Sequence, residues 1–584
     1  MQSLIKKARS GQNVYIEEVR EAFDAYAQTE IGCLLSLPDA REHRERILLP
    51  AAQDDEEQAF VREYFYARIY NMLSLYGGAQ MQLYAQSEDD FALCGELEEV
   101  FEANMPRNLR KSYGRCLNVA DRINAAAGLA PFVFLVRRGV LPEGAKAAGV
   151  KRARAAAALS ETVSRASHSA LCGMDIGGTD IKLVAARNGQ IVAVKEYDWN
   201  PAAMRHAETM LMPLVLLVRV MRAALNMPLH ADAQAHHAYA VMMKRDASSA
   251  EMSKAASYLE EQYGVERSFD GIGVCFPDVV IDDTILGGEA PKTAGIRAHA
   301  KDYEKEFSKL RGLKRALTPF CTHGGTVRLA GDGSIAAYTA AIEQAYSPRV
   351  KALSNGVFAH TLGTDLGTGW LDETGKIPKL PLELYNCVLD LGDTPARVFH
   401  ASDARSVNNI NTGISGTFQR YASQSGVFRL ALRYFAENAS ARYVELFEKG
   451  FVEEREGGIY IVGEPKDMRK PFLEHIMKLA EAGEPEAEHV FRTIGEYMGE
   501  CWKLTEALLS PRVKDRVLFG RMVKNPHCCA LICEGAKERC GAHFRTPDEE
   551  LAYTPLMREL QLDPKHSVAQ FGQAVGACYY SMAK

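Results

Sequence analysis

Residues 175–182 place a carboxylate, two glycines and a hydroxyl within one predicted turn. Short apolar runs lie on both sides, so the pattern predicts two strands joined by a tight hairpin. The chemistry-bearing positions are Asp175, Gly177, Gly178 and Thr179. Glycine lets a bulky anion approach the backbone, freed N–H groups and a hydroxyl can donate to phosphate oxygens, and a carboxylate can hold magnesium through water. The turn therefore predicts a phosphate loop, with a plain Gly-Gly hairpin as the alternative.

A second glycine-rich stretch follows the predicted strand at 356–362. Its bare or hydroxyl-bearing positions are Gly363, Thr364, Gly367, Thr368 and Gly369. Lying between two strands, these positions are expected to offer further N–H and hydroxyl donors to phosphate. Asp365 in the same stretch would either repel phosphate or help to hold magnesium.

Asp332 lies where a predicted strand ends and a predicted helix begins. A carboxylate at a strand end can accept the proton of a hydroxyl that attacks a phosphoryl group. The alternative is that Asp332 only caps the helix.

These segments, in this order, resemble the ROK branch of the sugar-kinase and actin-like ATPase superfamily. The stretch 172–184 resembles its Asp-Ile-Gly-Gly-Thr loop, and 271–283 resembles Gly-Ile-Gly-x-Pro-Gly-x-Val-Asp. The stretch 327–337 resembles its Asn-Asp-Ala-Asn-Ala-Ala segment, and 363–369 resembles its second loop, Gly-Thr-Gly-Ile-Gly-Gly-Gly. The resemblance covers about residues 171–584.

The resemblance implies a two-lobed α/β fold of the actin/hexokinase (ribonuclease H-like) kind. ATP and Mg²⁺ would bind between the lobes, with Lys182 beside the first phosphate loop, Asp175 near the metal, and Asp332 as general base. The predicted sugar contacts are Lys292, Thr293, Asp332, Glu383 and Asn386. The predicted adenosine contacts are Gly520 and Arg521.

Several positions depart from the family pattern. Asp278 and Asp365 stand where the family has glycine, Gly331 replaces an asparagine, and Asn386 replaces a histidine. These departures keep two other interpretations open: a sugar-sensing regulator of the same fold, and an ATPase-type activator or scaffold.

Composition excludes several broad classes. The chain has 584 residues, 47% apolar and 25% charged, which indicates several globular domains. A net charge of −6 argues against a general nucleic-acid binder. No signal peptide or bilayer-spanning run is visible in the sequence, so we expect a cytoplasmic protein that binds no membrane.

The 13 cysteines are odd in number and irregularly spaced, which favours reduced thiols. A local cluster of Cys and His over 527–543 predicts buried free thiols, with a zinc site as the alternative.

Three regions are predicted along the chain. Residues 1–165 form a helical accessory domain; 170–345 form the first lobe, with a helical insertion at about 201–265. Residues 346–584 form the second lobe, with an insertion at about 415–510 and a terminal helix that either stays there or returns to the first lobe. The expected partner is a sugar or polyol, and a homodimer is left open.

Overall fold

The computed structural model describes residues 1–144, 155–287, 291–346, 356–363, 366–392, 401–406, 408–409, 411–455, 458–462, 468–512, 516–546 and 553–583. We divide them into an N-terminal unit (residues 2–138), a central unit (155–346) and a C-terminal unit (356–546). Most of the basic segment 146–157 lies outside the described residues, as do Thr364 and Asp365.

The N-terminal unit contains a sheet as well as helices. Its strands are β1 (Thr29–Ser36), β2 (Glu42–Leu49), β3 (Gln80–Ala85) and β4 (Val133–Arg138), in the order β2-β1-β3-β4. Its helices are α1 (Gln2–Arg9), α2 (Ile16–Tyr26), α3 (Asp55–Tyr76), α4 (Glu88–Gly95), α5 (Leu97–Val100) and α6 (Cys116–Ala126). The prediction of a helical region is therefore wrong for these four segments. Short apolar runs fit a helix and a buried strand equally, and pairing of β1 with β2 and β3 selects the strand.

The central unit is built on a five-stranded sheet. Its strands are β5 (Ala170–Ile176), β6 (Asp180–Arg187), β7 (Gln190–Asp198), β8 (Phe269–Phe276) and β11 (Cys321–Gly331), in the order β11-β8-β5-β6-β7. A small hairpin joins β9 (Val280–Ile281) and β10 (Thr284–Ile285). The helices are α7 (Ala155–Ala166), α8 (Ala207–Asn226), α9 (Ala233–Met243), α10 (Ser249–Tyr263), α11 (Ala294–His299), α12 (Tyr303–Ser308), α13 (Leu313–Leu317) and α14 (Asp332–Tyr346).

Pairing in this sheet places the predicted turn at one end of its central strand. Strands β5, β6 and β7 are antiparallel neighbours, whereas β5, β8 and β11 run parallel. The predicted hairpin at 172–184 is confirmed, with Asp175 opposite Lys182. Successive residues of β6 enter different cores: Leu183 packs with α8–α10 and Val184 packs with α7 and α14. The strand is thus buried on both faces.

The C-terminal unit has a smaller sheet and many helices. Strands β12 (Val357–Leu362), β13 (Leu366–Leu371) and β16 (Arg516–Phe519) have the order β13-β12-β16, and β14 (Val452–Arg455) pairs with β15 (Gly458–Ile461). The helices are α15 (Phe418–Ala422), α16 (Gln424–Asn438), α17 (Ser440–Glu448), α18 (Arg469–Glu481), α19 (Pro485–Leu509), α20 (Arg521–Lys524) and α21 (Pro526–Cys540).

The N-terminal and C-terminal units share one hydrophobic core. Its buried residues come from α2, α3 and the first sheet as well as from α15–α21. Polar contacts cross the same boundary: the Asn71 side chain donates to the Val388 carbonyl at 2.9 Å and accepts from its N–H at 2.7 Å. The N-terminal unit is therefore packed into the C-terminal unit rather than attached beside it.

Two helices, α22 (Pro555–Leu562) and α23 (Val568–Ser581), pack on the central unit. Helix α23 lies directly on β5 and β8, since a Cβ on Gly173 or Gly273 would come within 1.8 Å of a carbonyl of α23. The chain end thus supports the strand that leads into the first glycine turn. No helix in the described part of the chain has the length and apolar character needed to cross a membrane.

Candidate active site

The first glycine turn joins β5 to β6 over residues 177–179. The Gly177 N–H donates to the Asp180 carbonyl at 2.8 Å, and a Cβ on Gly177 would lie 2.7 Å from that oxygen. Trp199, just after β7, holds the turn from outside: its ring N–H donates to the Gly177 carbonyl, and its backbone N–H donates to the Thr179 carbonyl, each at 3.0 Å. Gly178 and Thr179 remain exposed at the tip.

Asp175 lies in β5, one residue before its end, and is half-buried. Burial raises its pKa to about 6, opposed by the charge of Lys182 and by a hydrogen bond with Cys275, while Asp332 and Asp180 add repulsion. Lys182 also pairs with Asp180 at 2.5 Å. A nearby cation would therefore stabilise the charged form of Asp175, as it does for a magnesium-binding carboxylate.

The second glycine turn is shorter than the sequence predicts. Gly367, Thr368 and Gly369 lie inside β13, opposite Thr361, His360 and Ala359 of β12. The prediction that all three form a loop between strands is therefore wrong, since ladder pairing continues to Leu366. Of the predicted turn donors, Gly363 directly follows β12, which ends at Leu362, and Thr364 lies outside the described residues.

Strand β13 instead packs against the start of α14. A Cβ on Gly369 would lie 1.8 Å from the Gly333 carbonyl, and a Cβ on Gly333 would lie 2.1 Å from the Thr368 carbonyl. Only glycine allows this backbone contact. The Thr368 hydroxyl is buried without a hydrogen-bond partner among the described residues. In the structure Gly369 therefore packs against the start of α14, and phosphate binding by this strand stays a prediction.

Asp332 is the first residue of α14, directly after β11, where the sequence predicts the change from strand to helix. One of its carboxylate oxygens accepts the Gly333 N–H at 2.7 Å. Asp332 and Asp175 act on the same buried neighbour: burial first, and then these two carboxylates, raise the pKa of the Cys275 thiol, and Lys292 opposes them. A Cβ on Gly178 would lie 3.5 Å from Lys292 Cε. Thus the first glycine turn, both aspartates and one lysine lie together.

Asp278 follows β8 and has a φ of 103°. This is a backbone conformation that glycine adopts readily and other residues rarely adopt. The family pattern quoted above has glycine at this position, and the backbone of this chain adopts a conformation typical of glycine although the residue is aspartate. Its carboxylate lies against Gly287, where a Cβ would come within 1.9 Å of an oxygen, and a Cβ on Gly331 would lie 3.0 Å from the Asp278 carbonyl.

Glu383 and Tyr385 face the same region from the C-terminal unit. The Tyr385 hydroxyl donates to Glu383 at 3.2 Å. Burial, and then Glu383, Asp278 and Asp332, raise the pKa of Tyr385. Residues of the central and C-terminal units therefore meet around Asp332.

Two predicted sugar contacts use their polar atoms inside the protein. The Thr293 hydroxyl lies 3.0 Å from the Tyr303 hydroxyl and is buried. The side-chain oxygen of Asn386 accepts a hydrogen bond from the side-chain amide of Asn409 at 3.1 Å, also within the core.

Gly520 links β16 to α20 and has a φ of 109°. A Cβ on it would lie 2.1 Å from the Leu362 carbonyl, so this turn lies directly beside the start of the second glycine turn. Arg521 follows with 43% of its side chain exposed, 4.0 Å from Glu474.

The cysteines of 527–543 lie mainly on α21. Cys528 is buried in the shared core, whereas Cys529, Cys533 and Cys540 are half-buried. Within the described ranges, no group of three or more His, Cys, Asp or Glu side chains is arranged to hold a metal ion.

Sequence reasoning missed three residues of the site. Trp199 holds the first turn, Cys275 lies between the two aspartates, and Tyr385 faces Asp332. Cys275 lies within the stretch 271–283, and Tyr385 lies between the predicted contacts Glu383 and Asn386, so proximity to those residues was the available signal. Trp199 had none beyond its place at the end of a predicted strand.

Solved structures that resemble this chain include the following sugar kinases. A ROK hexokinase from Thermus thermophilus matches at 15% identity and a TM-score of 0.37, over 70% of this chain and 97% of that chain. A ROK family glucokinase from Streptomyces griseus, solved with glucose and AMPPNP, matches at 16% and 0.36, over 70% and 99%. A glucokinase from Balamuthia mandrillaris, solved with glucose, matches at 12% and 0.40, over 72% and 98%.

No protein-family model matches the chain, and no curated protein matches its sequence. Identities and TM-scores this low do not assign the chain to a family, so its chemistry has to be argued from its own side chains.

Proposed function

We propose that this protein is an ATP-dependent, ROK-like sugar kinase, which transfers the γ-phosphate of ATP to a hydroxyl of a sugar or polyol. The central unit and the C-terminal unit would be the two lobes of an actin/hexokinase-like fold. The observation that carries the proposal is the convergence on Asp332. Asp175 lies within electrostatic range of it, and the neighbouring Gly333 touches the backbone of β13 beside the second glycine turn.

The residues around the first glycine turn and Thr368 fit a nucleoside triphosphate. Gly178 and Thr179 are exposed at a turn tip. The Thr368 hydroxyl has no hydrogen-bond partner among the described residues. Lys292 supplies positive charge beside Gly178. The turn at Gly520 adjoins the second loop through Leu362, which suits an adenosine attached to the phosphates.

The residues also fit Mg²⁺ held through water. Asp175 and Asp332 repel each other in a partly buried setting, and a divalent cation would relieve that repulsion. When bound, the ion would neutralise charge on the β- and γ-phosphates. Asp175 is the residue that would hold it.

The chemistry follows from where the carboxylates lie. Asp332 would accept the proton of the acceptor hydroxyl as its oxygen attacks the γ-phosphorus. The bond from that phosphorus to the bridging oxygen breaks, and ADP leaves with the electron pair. Glu383 and Tyr385 would orient the acceptor, because both lie near Asp332 on the facing unit. Positioning of this kind supplies most of the catalysis in phosphoryl transfer.

The test is ADP release from purified protein with Mg²⁺ and ATP against D-glucose, D-mannose, D-fructose, N-acetylmannosamine, sorbitol and glycerol. A kinase consumes ATP only when its acceptor is present. Slow hydrolysis that no acceptor changes would instead indicate an ATPase-type activator, and binding of a sugar without turnover would indicate a sensor.

Asp332→Asn is then expected to lower turnover about 10²–10⁴-fold, the usual contribution of a general base. Binding of AMPPNP, measured by calorimetry, should stay within a few-fold of wild type. The matched control is Asp232→Asn, which changes an aspartate that caps α9 through the Ala235 N–H at 2.8 Å. Equal activity in both variants would show that Asp332 is only a cap and would refute its role as base.

A further inference from the structure

The N-terminal unit touches both walls of the proposed acceptor pocket. At the end of α3, the Ser74 carbonyl accepts the Glu383 N–H and the Leu75 carbonyl accepts the Leu382 N–H, each at 3.1 Å. Leu382 has a φ of 53°, a left-handed conformation that these bonds help to hold. The position of Glu383 therefore depends directly on the N-terminal unit.

The opposite wall is the segment at Asp278, whose charge acts on Tyr385, and helix α6 contacts the residues that follow it. Val119 and Ile123 of α6 form one buried cluster with Val279 and Leu286, which flank the β9–β10 hairpin after Asp278. The Leu286 N–H donates to the Val279 carbonyl at 2.9 Å and closes that hairpin. Helix α6 therefore packs on the segment that leads away from Asp278.

A buried ion pair fastens this contact. The Arg122 side chain, 1% exposed, donates from Nη2 and Nε to both carboxylate oxygens of Glu304 in α12, at 2.6 and 3.0 Å. Arg107 reaches the same carboxylate at 3.1 Å. The Arg122 guanidinium also lies 5.1 Å from the ring centroid of Phe307.

Glu304 compensates more than one positive charge. Burial, and then Arg122 and Arg107, lower the pKa of Arg311, which shows that three guanidinium groups lie close together around this carboxylate. Removal of one partner of a buried pair leaves the other charges uncompensated and is strongly unfavourable. A neutral residue at 304 would therefore drive α6 away from the central unit.

The pair is also connected to the first glycine turn. Arg122 lies 6.0 Å from the ring centroid of Tyr303, the Tyr303 hydroxyl meets Thr293 at 3.0 Å, and Thr293 adjoins Lys292 beside Gly178. These contacts anchor Glu304 within the central unit.

The two contacts of the N-terminal unit differ in extent. Its contact with the C-terminal unit is a continuous core. Among the described residues its contact with the central unit is smaller: one apolar cluster, the Glu304 ion pair and the other contacts of Arg122, which include a hydrogen bond to the Gly287 carbonyl at 3.4 Å. The N-terminal unit and the C-terminal unit would thus move as one body. If the cleft between the C-terminal unit and the central unit opened, the smaller contact, between the N-terminal unit and the central unit, would be the one to separate.

We propose that the N-terminal unit is a brace across the cleft between the central unit and the C-terminal unit. Arg122 and Arg107 are positioning residues in this brace. By binding Glu304, they hold Asp278 and Glu383 at the separation that the acceptor needs. This inference rests on the proposed function for the identity of the pocket. The brace itself is a statement about contacts between units and is tested without turnover.

The first experiment is hydrogen exchange of the ligand-free full chain, followed by mass spectrometry. In Glu304→Gln, peptides covering 279–287 and 117–126 should exchange about tenfold faster than in wild type, because the hairpin amides lose the cover of α6. The matched control is Glu88→Gln, which breaks an exposed ion pair with Arg138. The Arg138 side chain is 59% exposed and the Glu88 side chain 78%, so the exchange rates of both peptides should not change. Unchanged exchange in Glu304→Gln would overturn the brace.

The second experiment separates positioning from general weakening. For the best acceptor of the panel above, Glu304→Gln should raise the acceptor KM about tenfold while the KM for ATP stays within about twofold. A loss of kcat alone, with both KM values unchanged, would indicate a structural role only and would overturn the positioning. If Glu304→Gln fails to fold, the test uses Arg107→Gln, which removes the arginine partner whose side chain is 31% exposed. This variant should raise the acceptor KM by a smaller factor and leave the KM for ATP unchanged. An unchanged acceptor KM in Arg107→Gln would overturn the proposal.

The two proposals fail in different ways. If no acceptor supports ADP release in wild type, the kinase assignment fails, yet the exchange result still decides the brace. If wild type is an active kinase and exchange at 279–287 does not respond to Glu304→Gln, only the brace fails.

Discussion

Replacement of Asp175 by asparagine is expected to stabilise the ligand-free protein while abolishing its activity. Asparagine has the shape of the aspartate but no charge. The charge is unfavourable in the folded state because burial raises the Asp175 pKa from its ordinary 3.8 to about 6. A residue kept at a cost to stability is typical of an active site.

The sign and the magnitude follow from linkage. A raised pKa in the folded state means that the folded chain binds the Asp175 proton more tightly than the unfolded chain does. The contribution of this proton to folding stability is therefore complete below pH 3.8 and is lost as pH rises through about 6. Each pKa unit corresponds to about 1.36 kcal/mol, so the shift corresponds to about 3 kcal/mol at most. Because Asp175 is only partly buried, solvent screening reduces this to about 1–2 kcal/mol at pH 8.

The assay is urea unfolding of the central unit, followed by the fluorescence of Trp199. The chain has three tryptophans, and Trp370 and Trp502 belong to the C-terminal unit, so both are replaced by phenylalanine in the background. Trp502 is buried in the shared core with the Arg516 guanidinium 4.0 Å from its ring centroid, so this background is itself less stable and every variant is compared within it. A single-unit probe is needed because a chain of several units need not unfold in two states.

Asp175→Asn should raise the unfolding free energy by about 1–2 kcal/mol at pH 8 and by much less near pH 4. The matched control is Asp180→Asn, which removes the carboxylate that pairs with Lys182 at 2.5 Å and should be neutral or destabilising. A gain for Asp175→Asn that is equal at both pH values, or a loss at pH 8, would refute the electrostatic explanation.

Three further outcomes are expected. Trp199→Phe removes a hydrogen bond to the first glycine turn and should raise the KM for ATP about three- to tenfold at little change in acceptor KM, as initial rates would show. Gly333→Ala places a Cβ 2.1 Å from the Thr368 carbonyl and should cost about 1–3 kcal/mol and most activity, whereas Gly95→Ala in α4, with no atom within 4 Å of the added Cβ, should be neutral or stabilising by thermal melting. Glu383→Gln should raise the acceptor KM about tenfold or more and leave AMPPNP binding unchanged, since it removes one charge from an acceptor contact; an unchanged acceptor KM would remove Glu383 from the site.

Much of the central sheet was predictable from local pattern. The alternation of apolar and small residues around Gly177, and the strand that ends at Gly331, both specify backbone geometry within a few residues, and both predictions hold. Such signals are local, because a tight turn requires glycine wherever the rest of the chain lies.

The second glycine turn shows where local pattern is insufficient. Gly367 and Gly369 have the composition of a loop, yet they lie in a strand. What decides is the approach of α14, whose Gly333 comes from a distant part of the chain and requires a bare backbone at Gly369. A residue's partner across such a distance leaves no trace in its own neighbourhood.

By itself, the sequence determined which residues can do chemistry and in what order they occur: a glycine turn with Asp175, a carboxylate at a strand end in Asp332, and a second glycine turn. Tertiary structure alone decided that the N-terminal region is partly a sheet, that it shares the core of the C-terminal unit, and that Arg122 meets Glu304 across 182 positions. The physical reason is that a turn or a strand end depends on the conformational freedom of a few adjacent residues, whereas burial and ion pairing depend on which distant surfaces exclude water together.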